Sequence, residues 1–130
     1  MLVVDASALV PAIADGTDIG RQRRQRLSRE RLDAPDLILV ESLSVIRRQT
    51  LAGMLDAAQG EQAVDDLLTL PIVIHPTAPL LRRAWELRSN VTPYDACYAA
   101  LAEALNCPLL TGDARLARAP GLICEVEVVG

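Results

Sequence analysis

Asp5, Glu41, Asp95 and Asp113 stand at widely separated points of a 130-residue chain, each at a junction where an α/β sheet would deliver side chains to one edge. Gathered together they would make a divalent-metal site. Two like charges about 4 Å apart repel by roughly 4 kcal/mol at an effective dielectric near 20, so a cluster of carboxylates implies a bound cation or bound protons. All-oxygen ligation suits Mg²⁺ or Mn²⁺, whose shells are commonly completed by water and substrate phosphate oxygens. Zinc suits the chain poorly, because His75 is the only histidine and Cys97, Cys107 and Cys124 lack paired close spacing. The chemistry suggested is phosphate-ester hydrolysis.

The elements that must position these groups can be read in outline. Leu2-Val3-Val4 is a short apolar run that predicts a buried strand, with Asp5 directly after it and a helix-compatible stretch from Ala6 onward, where Pro11 predicts a kink. Pro108-Leu109-Leu110 predicts a second such strand, with Thr111-Gly112 as the turn and Asp113 just beyond. In an open parallel sheet, ligands bind beyond the carboxyl ends of the strands, where Asp5 and Asp113 would both project. Glu41 interrupts a strongly apolar segment, Leu37 to Ile46, expected to be a helix capped by Asp36, running to Leu51 and stopped by Gly53. A charge in such a segment needs a partner; an exposed position or an ion pair with Arg47 or Arg48 is the structural alternative.

Asp95 follows Thr92-Pro93-Tyr94, in which Thr92 is the N-cap and Pro93 the first helical residue. A carboxylate there stabilises a helix terminus even without catalysis. The remaining expectations are a helix from about Ile19 to Arg31, no assigned element over Asp33-Ala34-Pro35, a helix from Asp56 to Leu70 and a buried strand Pro71–Ile74 ended by a structural His75. Beyond these come a helix capped by Thr77 and running to about Arg88, with Trp85 in the core or a subunit interface, and an edge strand over Glu125–Val129. The order of elements predicts an α/β fold, with a mostly parallel central sheet, in a single domain spanning 1–130.

Composition narrows the function classes. Half of the residues are hydrophobic (51%), enough for a core, but Phe is absent and aromatics total 2%, so packing rests on Leu, Val, Ile and Ala. No apolar run reaches the roughly 20 residues needed to cross a bilayer, and Asp5 interrupts the N-terminal run too early for a secretory signal; the expectation is a cytoplasmic protein without membrane contact. An odd number of cysteines fits a reducing compartment. Every one of the 13 basic residues is Arg, so there is no Walker-A or Schiff-base lysine, and the lysine of a receiver domain is missing too. A haloacid-dehalogenase phosphatase is disfavoured because Asp5-Ala6-Ser7 lacks the second aspartate. The net charge of −4 leaves nucleic-acid affinity to local clusters such as Arg21, Arg23 and Arg24, on a helix that is either a phosphate-contacting arm or a solvated surface.

Three segments, in this order and at these distances, closely resemble the PIN-domain ribonucleases, specifically the VapC-type toxins of bacterial toxin–antitoxin modules. They are Val4-Asp5-Ala6-Ser7-Ala8-Leu9, Thr92-Pro93-Tyr94-Asp95-Ala96 and Leu109-Leu110-Thr111-Gly112-Asp113-Ala114-Arg115-Leu116, and the likeness covers essentially the whole chain. The resemblance implies a three-layer α/β/α sandwich with Asp5, Glu41, Asp95 and Asp113 around Mg²⁺ or Mn²⁺. It implies that Asp5, Asp95 and Asp113 hold the principal metal while Glu41 binds a second metal or orients the attacking water. Thr111 matches a hydroxyl position near the metal, Ser7 would hold Asp5, and Arg115 would touch either a substrate phosphate or a carboxylate. A homodimer, inhibition by a cognate antitoxin and cleavage of structured RNA of the transfer or ribosomal class are implied as well. The rival reading is a catalytically silent PIN-like protein that grips RNA or a partner.

Overall fold

The computed structural model describes residues 1–129. Five strands, β1 (Leu2–Val4), β2 (Leu32–Pro35), β3 (Ile72–His75), β4 (Leu109–Thr111) and β5 (Val126–Val128), form one sheet in the order β3-β2-β1-β4-β5. All four pairings are parallel, with Val3 opposite both Asp33 and Leu109. From β1 the chain steps outward to β2 and β3, then returns to place β4 and β5 on the other flank. The reversal falls between β1 and β4, and a crevice opens at such a switch point beyond the carboxyl ends of the strands.

Two groups of helices cover the sheet. One is α1 (Ala6–Ala14) with α2 (Asp18–Leu27), α3 (Leu37–Leu51) and α4 (Ala57–Thr69). The other is α6 (Pro93–Leu105), which lies against β1, β2 and β4 and carries α5 (Leu81–Glu86) on its back. The result is the expected α/β/α sandwich. Leu2, Val3, Val4, Leu109 and Leu110 are fully enclosed, as strands covered on both faces must be. Residues Ala96 to Ala102 of α6 are buried without interruption, and four of the seven are alanine, so the helix can approach the sheet closely. Among the described residues no helix is long and apolar enough to cross a membrane.

Several local expectations hold. Gly53 stands past α3 with φ of 80°, α4 starts from a reciprocal capping box between Asp56 and Gln59, and Thr92 caps α6 with Pro93 at its first position. Others are corrected. The strand expected to be buried, β3, is an edge strand with Val73 and Ile74 exposed. The helix expected over Ile19 to Arg31 ends at Leu27, and Asp33-Ala34-Pro35, given no element from the sequence, lies in strand β2. A strand of four residues containing Asp and Pro gives no apolar signal. It is tolerable because Asp33, with no exposed side-chain surface, accepts from Arg31 Nε and Nη2 at 3.0 and 2.9 Å and lies 2.7 Å from His75 Nε2. Those hydrogen bonds, His75 first, outweigh burial and hold the Asp33 carboxyl below its ordinary range.

Asp36 precedes α3 without a side-chain cap bond, and Thr77 donates its hydroxyl to Asp36 rather than capping a helix. A 3₁₀ turn over Ala78–Leu80 leads into α5, which stops at Glu86, short of Arg88. Trp85 is 67% exposed and so is not core. Pro11 lies inside an unbroken α1. Its missing N–H frees the Ser7 carbonyl, which accepts from Arg23 Nη1 at 3.4 Å instead.

Candidate active site

Asp5 follows β1 and is the N-cap of α1, its Oδ1 accepting from the Ala8 backbone N–H at 3.0 Å. Ser7 Oγ donates to the same oxygen at 2.7 Å, and Thr111 Oγ1 donates to Oδ2. Both hydroxyls then accept from the β4–α7 turn: Ser7 Oγ from Gly112 N–H at 2.8 Å and Thr111 Oγ1 from Asp113 N–H at 3.0 Å. Here α7 is the short helix Ala114–Ala117. Two turns more than 100 residues apart in sequence are thus stitched across the switch point by three side chains. A Cβ on Gly112 would lie 3.0 Å from the Ser7 carbonyl oxygen, so a side chain here would force the two turns apart by a few tenths of an ångström.

Glu41 projects from α3 and accepts a 2.9 Å hydrogen bond from the Tyr98 hydroxyl on α6. The expected alternative, an ion pair with Arg47 or Arg48, does not form. Asp95 sits in the first turn of α6, its backbone N–H bonded to Thr92 Oγ1 at 3.2 Å. Asp113 caps α7 through Arg115 N–H at 2.9 Å and is gripped by the Arg115 guanidinium at 3.2 and 3.1 Å. Of the two roles expected for Arg115, the carboxylate pair is the one formed.

The electrostatics divide the four. Burial is the main cause that pushes Asp5, Glu41 and Asp95 above the ordinary carboxylate range. Asp95 and Asp5 add repulsion at Glu41, and Asp5 and Asp113 add it at Asp95, so the groups share one field. Asp113 lies below the ordinary range because Arg115 bonds it. Among the described residues no basic side chain bonds Asp5, Glu41 or Asp95, and no three acidic groups are drawn together tightly enough to enclose an ion. The closed cluster expected from the sequence is therefore not seen; what links the four carboxylates is their mutual repulsion at one edge of the sheet. An all-carboxylate, half-buried and uncompensated donor set fits a hard divalent ion. Beside Asp95 and Asp113 the surface opens into a cleft of about 550 Å³, whose rim includes Arg88, Asn90 and Arg115.

The arginines of α2 do not join the site as an arm. Arg21 pairs with Asp18 in solvent, and Arg24 donates to the Ala12 and Asp15 carbonyls, both at 3.1 Å. Arg23 bridges the Ser7 and Val129 carbonyls. These contacts fasten α2 to α1 and to the C-terminal strand. Tyr98 is the site residue that sequence reasoning missed. Its signal was available, since it stands one helical turn after Asp95 and so shares its face.

Fold and carboxylates together define a PIN-type nuclease. A family model described as PIN domain matches residues 2–122. Ribonuclease VapC9 of Mycobacterium tuberculosis is 42% identical over 130 residues, 99% of this chain and 98% of that protein. The chain belongs to the PIN-domain family, among the VapC ribonucleases. Its fold is shared by the crystal structure of M. tuberculosis VapC20, a sarcin–ricin loop cleaving toxin, with a TM-score of 0.72 at 14% identity over 95% of this chain and 97% of the other. VapBC2 from Rickettsia felis, bound to a DNA fragment from its promoter, matches with a TM-score of 0.67 at 20% identity over 96% and 97%.

Proposed function

We propose that this protein is a Mg²⁺- or Mn²⁺-dependent endoribonuclease that cuts structured RNA of the transfer or ribosomal class and acts as the toxin of a toxin–antitoxin pair. The observation that carries the chemistry is the shared repulsive field of Asp5, Glu41 and Asp95, none of them bonded by a basic side chain, with Asp113 beside them. These four residues would hold the metal. When bound, a divalent ion supplies charge stabilisation to the phosphate and lowers the pKa of water, from 15.7 towards about 7 in favourable cases.

The chain's own residues do the rest. Ser7 and Thr111 fix both oxygens of Asp5, so the carboxylate meets the substrate in one orientation. Tyr98 holds Glu41 by one oxygen and leaves the other free to accept from an attacking water. Arg115 keeps Asp113 ionised and stands where it can exchange its carboxylate for a substrate phosphate. Ribonuclease activity is supported by kinship with the VapC ribonucleases and a cognate antitoxin by the likeness to the VapBC2 pair; a homodimer and a cytoplasmic setting belong to the same reading.

The test is cleavage of total cellular RNA by purified protein freed of copurifying partner, with Mg²⁺ or Mn²⁺, with EDTA, and with Asp5→Asn. Discrete fragments that require both metal and Asp5 are expected. Equal cleavage by Asp5→Asn would overturn the assignment, and intact RNA under every condition would favour the silent binding protein.

A further inference from the structure

An RNA strand approaching this site meets a repulsive field, since the chain carries a net charge of −4 and Asp95 and Asp113 line the cleft. Arginine must answer it, because all 13 basic residues are Arg. Two arginines line the cleft beside Asp95 and Asp113, and one of them, Arg115, is paired with Asp113.

Arg88 differs. It lines the same cleft as Asp95 and Asp113, and no carboxylate among the described residues forms an ion pair with it. Its guanidinium lies 4.6 Å from the centroid of the Trp85 ring, and its Nη1 donates to the Trp85 carbonyl at 3.0 Å. A guanidinium stacked on an indole is held in place electrostatically while its remaining N–H donors stay free. Part of the entropy of ordering the side chain is therefore lost before any ligand arrives. Trp85 is 67% exposed although it is the only tryptophan in a chain with 2% aromatics, so the ring supports Arg88 without being buried in the core.

We propose that Arg88, seated on Trp85 at the rim of the acidic cleft, is a substrate-binding residue that takes an RNA backbone phosphate flanking the scissile bond, while the exposed indole offers a stacking face to a neighbouring base. This rests on the ribonuclease reading of the same cleft. The chemistry is that of single-stranded recognition, in which a cation tracks the backbone and an aromatic face accepts any base.

The experiment measures binding of a short fluorescein-labelled single-stranded RNA to Asp5→Asn protein at several KCl concentrations, alone and combined with Arg88→Ala, Arg88→Lys or Trp85→Ala. Arg88→Ala is expected to weaken binding and lower the salt slope by about 0.7, the loss of one phosphate contact on a single strand. Arg88→Lys should keep the slope. Trp85→Ala should weaken binding by about tenfold with little change in slope. In otherwise wild-type protein, Arg88→Ala should raise KM far more than it lowers kcat. All of these positions are on the surface, and unchanged melting temperatures are expected.

If the Asp5→Asn protein binds RNA and Arg88→Ala leaves affinity and slope intact, the subsite is overturned and the ribonuclease reading stands. If Trp85→Ala instead shifts the sedimentation of the protein towards a smaller species while RNA binding is kept, the indole belongs to a subunit contact and the proposal is likewise overturned. Failure of wild-type protein to bind or cut any RNA would overturn both readings.

Discussion

Tyr98 shows how one side chain sets another's chemistry. Its hydroxyl is almost wholly enclosed and donates to Glu41, whose carboxylate burial and neighbouring Asp95 and Asp5 already push towards protonation. A donor to the ionised form opposes that push. Tyr98→Phe deletes only the hydroxyl, so the expected stability cost is about 1 kcal/mol, the net worth of an ordinary hydrogen bond. Glu41 should then ionise at a higher pH. The acidic limb of the pH–rate profile is expected to move upward, with cleavage at neutral pH reduced; an unmoved limb would show that the hydroxyl only fills space. Asp5, Glu41 and Asp113 could be picked out along the chain because each follows or interrupts an apolar run, and Asp95 by its place three residues after the Thr92 cap. Tyr98 could not be assigned in the same way, since its partner is 57 residues away and only the tertiary fold brings them together.

At the scale of elements, the site depends on how closely the β1–α1 and β4–α7 turns approach. Gly112 is the contact point: an added Cβ would stand 3.0 Å from the Ser7 carbonyl and 3.2 Å from Ser7 Oγ. Gly112→Ala should part the turns by a few tenths of an ångström and disturb the Asp5–Ser7–Thr111 bonds. Cleavage is expected to fall by about tenfold or more, because small misplacements in a positioned site are costly, while the melting temperature changes little. Parallel activity and melting measurements check this; full activity would show the turns to be tolerant. The strands that bring Asp5 and Asp113 were legible as short apolar runs. Strand β2 was not, because its Asp33 is stabilised by Arg31 and by His75 from the neighbouring strand, a pairing that no local window contains. The α2 arginines misled for a related reason. Arg23 meets a carbonyl left free by Pro11, and Arg24 meets the end of α1, so a charged stripe that suggested a phosphate arm is a fastening between helices.

For the whole molecule, the shared field of the carboxylates couples folding to metal and to pH. Asp95 is raised above its reference value of 3.8, so its contribution to stability is fullest below that value and is lost as pH rises through the folded pKa. In EDTA at neutral pH, Asp95→Asn should therefore melt above the wild type, and the gap should close as pH falls towards the reference value. Saturating Mg²⁺ or Mn²⁺ should reverse the order, since an ion at a hundredfold excess over its Kd adds about 2.7 kcal/mol to a protein that binds it only when folded. Melting curves across pH with and without metal test the pair, and a gap independent of both would remove Asp95 from the shared field. The sequence by itself determined the class of fold and pointed to four acidic positions of a kind that suits a hard divalent ion. Apolar runs, caps and charge interruptions are local signals, and they carry that much. Only the tertiary structure decided which hydroxyls lock Asp5, that Tyr98 rather than an arginine holds Glu41, that Arg115 pairs with Asp113, and that Arg88 stands unpaired on Trp85. Those outcomes depend on distances between elements far apart in the chain, which a parallel sheet with crossover connections fixes only when the whole of it has assembled.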